Sequence, residues 1–362
     1  MTRRAHNFSA GPAALPLEVL EKAQAELVDF RGTGMSIMEQ SHRDKPYEAV
    51  HAETQANIKA LLGMSDDYQV LFMAGGARTQ FAFVPLNLLP KDEFAEYVTT
   101  GVWAEGALSE GKKIGDVREI WSSATSNHNH VPAEGALKPD PKAAYLHYTS
   151  NNTIYGTQYQ YVPDSGQAPV VCDMSSDFLS KPVDVSKFGL IYAGAQKNVG
   201  PSGVTILIIR KDLLERSAKT LPEMFSYAVT AKNDSLYNTP PVFPIYMCSL
   251  TTAYLLKQGG LDVIAKSNER KAKLLYDCFD ASSGFYRGHA TPGSRSLMNV
   301  TFRLPTEELE TRFVKESAAA ELVGLKGHRL VGGLRASIYN AVPEKSVAVL
   351  VDFMKDFHKR AG

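Results

Sequence analysis

Short apolar runs alternate with helical patterns along much of this chain, and no other sequence feature constrains the fold as strongly. The runs are Tyr68–Met73, Glu96–Thr99, Ala144–Tyr148, Val170–Cys172, Leu190–Tyr192 and Val204–Ile209. Turn residues or the next helical pattern bound each of them. Since strands that are buried on both faces are continuously apolar, the alternation predicts an α/β fold whose mixed, mostly parallel sheet is covered by helices.

Apolar residues at helical spacing predict the helices around these strands. These helices are Leu17–Phe30, Tyr47–Leu62 and a long segment around Met247–Lys257 that ends at Gly259-Gly260. After residue 260 the pattern changes to the helices Asp262–Asp280 and Glu307–Leu322 and the strands Asn299–Arg303 and Arg335–Tyr339. This second pattern predicts a smaller α+β domain that closes over the first.

Three parts of the chain are therefore expected. Gly11, Pro12 and Pro16 predict an extended N-terminal arm over residues 1–15 that packs with the small domain. A large domain is expected over residues 16–260, and a small C-terminal domain over residues 261–362.

Formal charge argues against one class of partner. The 362 residues carry 39 Lys and Arg against 39 Asp and Glu, so the net charge is zero. Proteins that bind nucleic acid or a membrane surface usually carry a basic excess, which this chain lacks. No segment has the pattern of a signal peptide or a spanning helix, and we expect a soluble, cytoplasmic protein.

Three cysteines, Cys172, Cys248 and Cys278, are too few and too scattered for a disulfide framework or a zinc cluster. We therefore expect each to be a small buried side chain, and no metal site is predicted.

One lysine stands between two apolar strands, in the segment 189–203. Burial of the Lys197 ammonium is unfavourable unless its charge is paired or suppressed. A suppressed charge is what a Schiff-base lysine needs, because only the neutral amine attacks a carbonyl. From these residues alone, a lysine that extends from a loop to solvent is an equally good interpretation.

An aspartate ends the apolar run Val170–Cys172, at the sheet edge where ligands collect in α/β proteins. There, Asp173 can keep a pyridine nitrogen protonated, and the ring then accepts electrons. The alternative is that Asp173 caps a following helix.

A glycine pair, Gly75-Gly76, separates another apolar run from a helix start. Backbone N–H groups at such a helix end suit a phosphate, although the pair alone is also an ordinary turn. The segment matches neither the dinucleotide-binding nor the Walker pattern. Together with Lys197 and Asp173, it indicates a pyridoxal-phosphate enzyme.

Five motifs make the resemblance specific. They are Phe8-Ser9-Ala10-Gly11-Pro12, Ser41-His42-Arg43, Gly75-Gly76-Ala77-Arg78, Ala193-Gly194-Ala195-Gln196-Lys197-Asn198 and Gly332-Gly333-Leu334-Arg335-Ala336-Ser337-Ile338-Tyr339-Asn340. These motifs occur in the order of the phosphoserine aminotransferase family and extend from one end of the chain to the other, so the chain resembles that family. The resemblance implies a class V, fold-type I aminotransferase that is a homodimer with active sites at the subunit interface. It also implies one pyridoxal 5'-phosphate per subunit.

The resemblance assigns cofactor contacts residue by residue. It makes Lys197 the lysine of the internal aldimine and Asp173 the partner of the pyridine nitrogen. It places Trp103 where an indole stacks on the cofactor ring, and Thr153 near the phenolic oxygen. Ala77, Arg78 and Gln196 match contacts to the phosphate and the ring. Asn238 and Thr239 match residues that contact the cofactor phosphate of the neighbouring subunit. Many relatives carry a third glycine where this chain has Ala77, and a methyl group there requires a negative φ.

Anionic substrates require fixed cations, and arginine suits carboxylates and phosphates. By resemblance, Arg335 binds the α-carboxylate. His42, Arg43, His328, Arg329 and Arg78 are placed around the phosphate or the γ-carboxylate, and Ser9 is placed at glutamate. Solvated surface arginines remain the alternative for Arg43, Arg329 and Arg335.

The implied reaction is a ping-pong transamination from glutamate to 3-phosphohydroxypyruvate, which gives phosphoserine for serine biosynthesis. A second substrate, phosphohydroxythreonine of pyridoxine biosynthesis, needs room for one extra carbon. An alanine–glyoxylate or serine–pyruvate aminotransferase would share Lys197 and Asp173 without needing the two His-Arg pairs. A desulfurase would need a cysteine on a mobile loop, and an inactive scaffold or binding module would retain the fold without chemistry.

Overall fold

The structure, a computed structural model, describes residues 4–361. Residues 1–3 of the expected arm and Gly362 of the expected small domain lie outside the described residues. The strands are β1 His6–Asn7, β2 Tyr68–Ala74, β3 Phe94–Thr99, β4 Asp116–Ser122, β5 Leu146–Thr149, β6 Asn151–Asn152, β7 Thr157–Gln158, β8 Val170–Asp173, β9 Leu190–Gly194, β10 Val204–Arg210, β11 Arg287–Gly288, β12 Asn299–Arg303, β13 Leu322–Val323 and β14 Leu334–Ser337. The α-helices are α1 Leu17–Ala25, α2 Lys45–Leu62, α3 Ala77–Leu88, α4 Val102–Gly111, α5 Tyr227–Lys232, α6 Val242–Lys257, α7 Leu261–Asp280, α8 Glu307–Ala319 and α9 Glu344–Ala361.

Seven strands form the central sheet, in the order β2-β10-β9-β8-β5-β3-β4. Strand β10 is antiparallel to both of its neighbours, and every other pair in this sheet is parallel. The mixed, mostly parallel sheet predicted from the apolar runs is confirmed. The sequence pattern missed edge strand β4, because only Val117 of this strand is buried and its residues form no apolar run.

Both faces of this sheet are buried, as the apolar runs require. Along β2, Val70 and Phe72 pack into one apolar core, while Leu71 and Met73 pack into another. The second core also contains Phe81 of α3, so this helix covers one face of the central sheet. Among residues 4–361, no helix combines the length and apolar character needed to span a lipid bilayer.

Two predicted helices end earlier than expected. Helix α1 stops at Ala25, and the chain turns through Gly32 and Gly34, both at positive φ. Phe30 is buried outside the helix, with its ring 5.5 Å from that of Tyr246. Phe30 therefore fits the helical spacing because it packs from the turn that follows the helix, and not because it is helical. Helix α8 ends at Ala319, because Leu322 begins β13.

A further apolar core joins α7, α8 and α9 to the small sheet β11-β12-β14. Phe8, from the start of the chain, is fully buried in this core. Next to it, His6 and Asn7 of β1 pair in parallel with Leu322 and Val323 of β13. These contacts hold the segment after Phe8 beside the carboxyl ends of the central strands.

Candidate active site

One cavity of about 520 Å³ lies at the carboxyl ends of the central parallel strands. Thr149 ends β5 and Asp173 ends β8, while Lys197 follows β9, and all three line this cavity. Parallel strands end at the same sheet edge, so topology alone brings these side chains together. Arg335 of β14 and Ala10 close the cavity from outside the central sheet.

The amine of Lys197 is held inside the cavity wall. Its Nζ donates a hydrogen bond to Thr153 Oγ1 at 2.7 Å. Burial lowers the pKa of Lys197 to about 8, Asp173 opposes this shift and Arg335 adds to it. At pH 7 about a tenth of such an amine is neutral, compared with less than about a thousandth for an ordinary lysine. The site therefore favours a nucleophilic lysine.

The carboxylate of Asp173 is 4% exposed and only half satisfied by protein donors. Ser175 donates to its Oδ1 twice, from the backbone N at 2.9 Å and from Oγ at 2.6 Å. Within residues 4–361 no group donates to Oδ2. Burial raises the pKa of Asp173, whereas Ser175 and the Lys197 charge lower it. Asp173 caps a local turn and no helix, and Oδ2 remains free for a cationic partner.

Helix α3 begins at the cavity without a side-chain cap. Gly75, at φ +106°, turns the chain after β2, and Gly76 is the N-cap residue. The first N–H groups of a helix have no intrahelical acceptor, which makes this end a site for an anion. Ala77 is the first helical residue and is not at positive φ, so its methyl group fits the backbone.

An indole forms another part of the wall. Trp103 lies at the start of α4, and the guanidinium of Arg78 lies 5.0 Å from its ring centroid. Its Nε1 is buried without a hydrogen-bond partner among the described residues. The indole can therefore stack on a flat group, and its N–H is free to serve a ligand.

Cations predominate in the cavity wall. Arg335 Nη1 donates to the carbonyl oxygen of Thr153 at 3.1 Å, while its buried Nε has no partner within residues 4–361. Burial, together with Arg335 and Arg329, lowers the pKa of His328. Among the described residues that line the cavity, Arg78, Lys197 and Arg335 are cationic and Asp173 is the single carboxylate. This balance suits an anionic substrate.

Nine predicted site residues line the cavity: Ala77, Arg78, Trp103, Thr153, Asp173, Gln196, Lys197, His328 and Arg335. The remaining six, Ser9, His42, Arg43, Asn238, Thr239 and Arg329, do not line it. Ser9 lies beside the wall residue Ala10 and against Gly324, where a β-carbon would stand 2.6 Å from the Ser9 backbone nitrogen.

Four of those six residues belong to surface segments. Arg43 precedes α2 and is exposed, and His42 beside it is partly exposed. Asn238 and Thr239 precede α6 and are exposed, and Asn238 lines a separate cavity of about 150 Å³. A single chain does not bring these side chains to Lys197.

Sequence reasoning missed part of the wall. The unpredicted lining residues are Ala10, Gly11, Gly76, Phe81, Thr149, Asn151, Ile154, Ser175 and Ser176. Thr149 and Ser175 were within reach, because each is at or just after the end of a predicted parallel strand. Phe81 and Ile154 carry no such signal, since they are apolar residues indistinguishable in sequence from core.

Comparison with known proteins agrees with this geometry. The family model Aminotransferase class-V matches residues 5–350. The phosphoserine aminotransferase of Lysinibacillus sphaericus is 55% identical over 99% of both chains. The chain belongs to the phosphoserine aminotransferase family. Its expected family and fold are thereby confirmed, and it is a transaminase.

Solved members of the phosphoserine aminotransferase family have the same fold. The structure from Bacillus circulans subsp. alkalophilus is 56% identical, covers 100% of both chains and superposes with a TM-score of 0.98. The pyridoxal-phosphate-bound enzyme of Trichomonas vaginalis is 39% identical, with a TM-score of 0.92 over 97% of this chain and 100% of its own.

Class-V aminotransferases use pyridoxal phosphate, and the cavity fits that group. Asp173 Oδ2 accepts no hydrogen bond from residues 4–361, Trp103 offers a ring face, and no side chain of the described residues caps the N-terminus of α3. Lys197 supplies an amine of lowered pKa. Each part of the cofactor thus has a complementary group in the wall.

None of the three cysteines is a reactive thiol. Cys172, Cys248 and Cys278 are buried free thiols, as expected from the sequence. Burial raises the pKa of all three, to about 12 for Cys248. The desulfurase alternative therefore lacks a reactive thiolate.

Proposed function

We propose that this chain transfers the amino group of glutamate to 3-phosphohydroxypyruvate, giving phosphoserine and 2-oxoglutarate for serine biosynthesis. The proposal rests on one observation: Lys197 and Arg335 both donate hydrogen bonds to Thr153 in one cationic cavity. An amine for the chemistry and a guanidinium for a carboxylate are then held by the same residue. Relatives similar over the full chain are phosphoserine aminotransferases, and they supply the substrate class.

Lys197 has two tasks in this proposal. Pyridoxal phosphate, when bound, supplies an aldehyde that exchanges amino groups and a ring that accepts electrons from the substrate α-carbon. Lys197 would hold the cofactor through its Nζ between turnovers. Once free, the same Nζ would move a proton at the substrate α-carbon. Thr153 orients that nitrogen through its hydroxyl.

The other cofactor contacts follow from the wall. Asp173 Oδ2 would pair with the ring nitrogen and keep it protonated. Trp103 would stack on the ring, and the backbone at Ala77 and Arg78 would hold the phosphate at the start of α3. Gln196 would contact the ring from the loop that carries Lys197. We assign one cofactor to each subunit.

Substrate recognition rests on the cations. Arg335 binds the α-carboxylate, and His328 and Arg78 help to bind the distal anion. Ser9 and Arg329 lie in segments next to wall residues Ala10 and His328 and are assigned to the same substrate. A pyruvate- or glyoxylate-specific enzyme would gain nothing from a distal cationic cluster.

A homodimer would supply the missing residues. Exposed large apolar side chains concentrate at Leu27, Val28, Met35 and Met38 and at Met224, Phe225 and Tyr237. These two segments flank His42-Arg43 and Asn238-Thr239. Apolar side chains exposed in this way mark protein interfaces. We assign this surface to a second copy and place His42, Arg43, Asn238 and Thr239 of each subunit at its partner's cavity.

The acceptor profile of the purified enzyme tests the proposal. With glutamate as donor, 3-phosphohydroxypyruvate should support turnover at a kcat/KM at least about 100-fold above that with pyruvate or glyoxylate, because a distal anion–arginine contact is charge-assisted. Preference for pyruvate or glyoxylate would contradict it. An enzyme that binds pyridoxal phosphate but shows no spectral change with glutamate would be a binding module.

The same assay decides the second substrate. Phosphohydroxythreonine, offered as amino donor with 2-oxoglutarate, differs from phosphoserine by one additional carbon that carries a hydroxyl group. Turnover with it would add the pyridoxine pathway to the function. We place the enzyme in the cytoplasm, where buried free thiols such as those of this chain are stable.

A further inference from the structure

A second lysine, which does not line the cavity, is buried without a hydrogen bond to any carboxylate among residues 4–361. Lys271 of α7 is 1% exposed. Its Nζ donates to three backbone carbonyls, those of Ile338 at 2.9 Å, Tyr339 at 2.7 Å and Val342 at 3.2 Å. Glu344, the acidic group whose charge acts on Lys271, is paired with Arg270 at 3.0 Å. Burial lowers the pKa of Lys271 to about 7.

The three carbonyls belong to one turn, residues 338–342, which directly follows β14. Asn268, one helical turn before Lys271, donates from Nδ2 to Oδ1 of Asn340 in the same turn at 2.9 Å. Two polar side chains on one face of α7 therefore hold the turn from the same side. A buried lysine is unfavourable unless its donors are satisfied, and here the backbone of this turn satisfies them.

The turn connects the two parts of the chain that carry Arg335 and Lys197. Arg335 lies three residues before it, on β14. Asn340 N donates to Oδ1 of Asn198, the residue after Lys197, at 3.0 Å. Tyr339 OH donates to the carbonyl oxygen of the wall residue Ala10 at 2.7 Å. The position of this turn therefore contributes to the distance between Arg335 and Lys197, together with their shared contacts to Thr153.

We infer that Lys271 is a positioning residue: it fixes the 338–342 turn and thereby holds the Arg335 guanidinium at the correct distance from Lys197 for binding the substrate α-carboxylate. The inference rests on the proposed function of Arg335. It does not depend on which keto acid is the acceptor, because every amino-acid donor carries the same α-carboxylate.

Steady-state kinetics of the holoenzyme with glutamate as donor tests this role. Lys271→Met keeps the apolar stem and removes the three donors, and it should raise the KM for glutamate about tenfold, since displacements near 1 Å cost up to about 10²-fold. The kcat should change less than about threefold, because Lys197 and Asp173 keep their contacts. Lys271→Arg retains hydrogen-bond donors, and its KM for glutamate should therefore lie between those of the wild type and Lys271→Met.

A matched control separates positioning from stability. Leu275, one turn later on α7, is fully buried in the same apolar core and makes no polar contact with the turn. Leu275→Ala should lower Tm while leaving the KM for glutamate within about twofold of the parent, since its cost is a cavity. Should Lys271→Met fail to fold, Asn268→Ala must raise the KM at least about threefold, because it removes the neutral hydrogen bond to Asn340 of the turn, together with one to the carbonyl oxygen of Ser180.

A double-mutant cycle gives the decisive readout. In an Arg335→Lys background, Lys271→Met should add less than about twofold to the KM, because the residue it positions is already altered. A full tenfold effect in that background would overturn the inference, and so would an unchanged KM in both Lys271→Met and Asn268→Ala. If the wild type prefers another acceptor, the proposed function fails while this test still stands.

Discussion

Lys197 Nζ donates to Thr153 Oγ1 at 2.7 Å, and the carbonyl oxygen of the same Thr153 accepts from Arg335 Nη1 at 3.1 Å. One residue therefore positions both the reacting amine and the guanidinium assigned to the substrate carboxylate. Thr153 itself is 4% exposed, whereas Lys197 and Arg335 are partly exposed toward the cavity. Thr153→Val should lower kcat about tenfold, since a hydrogen bond to a charged group is lost. Thr153→Ser should restore most of that kcat, and equal rates for the two variants would contradict the role of the hydroxyl.

Replacement of Lys197 should end catalysis. We expect Lys197→Ala to lose turnover and the visible absorbance of the holoenzyme, because no other described amine lines the cavity. Lys257→Ala is the matched control, since Lys257 is an exposed lysine that pairs with Glu18 on the surface. It should keep both properties. Retention of both in Lys197→Ala would refute the assignment.

The pKa of Lys197 gives a pH dependence of known sign. Burial lowers this pKa to about 8, so the neutral amine increases as pH rises from 6 and levels off above 9. The rate at which cofactor-free enzyme incorporates pyridoxal phosphate should follow that increase, measured as growth of visible absorbance. In Arg335→Gln the profile should move to higher pH, because the Arg335 charge contributes to the lowering. A rate that falls with pH would contradict the neutral-amine requirement.

Asp173→Asn should separate cofactor binding from chemistry. The amide can still accept from Ser175, but it cannot keep a ring nitrogen protonated. Single-turnover reaction with glutamate should slow about 10²-fold or more, the scale for loss of a preorganised charge. Asp177→Asn provides the control, since Asp177 is equally buried but bonds to Ser150 and Gln158. Equal rates in Asp173→Asn and the wild type would exclude the proposed role.

Mixed dimers test whether Asn238 and Thr239 act across the subunit interface. Lys197→Ala chains and Asn238→Ala/Thr239→Ala chains are each expected to be impaired at limiting cofactor. After mixing and refolding, hybrids should regain activity, because one of their two cavities has an intact Lys197 and an intact partner segment. The control pair, Lys197→Ala with Arg335→Ala, should regain none, since both residues line the cavity of one chain. No recovery in the first pair would place Asn238 and Thr239 outside the partner's site.

The sequence predicted the parts of this structure that depend on burial along one chain. Strands such as β8 and β10 are covered on both faces, so their apolar runs are visible without tertiary information. Edge strand β4 and the end of α1 depend on which neighbour covers them, and periodicity does not contain that information. Phe30 shows the difficulty, because its helical spacing arises from contact with Tyr246, over 200 residues away.

The candidate site divides in the same way. Lys197 and Asp173 were predictable because a charged residue at the end of an apolar run is unusual in itself. Lys271, in contrast, needed the observation that it donates to the carbonyls of the 338–342 turn. Its surroundings in sequence are those of an ordinary amphipathic helix. Polar residues that act through a backbone partner leave no pattern to detect.

The proposed roles in chemistry and in recognition fall on different sheets. Asp173 ends a strand of the central sheet and Lys197 follows another, whereas Arg335 is carried by the three-stranded sheet. Mutations in the small sheet and its adjoining loops should therefore act first on the amino acid that is accepted, and they reach Lys197 only through Arg335 and Thr153. Such an arrangement makes the scaffold evolvable, because substrate preference can change while the strands that carry the reacting groups keep their packing.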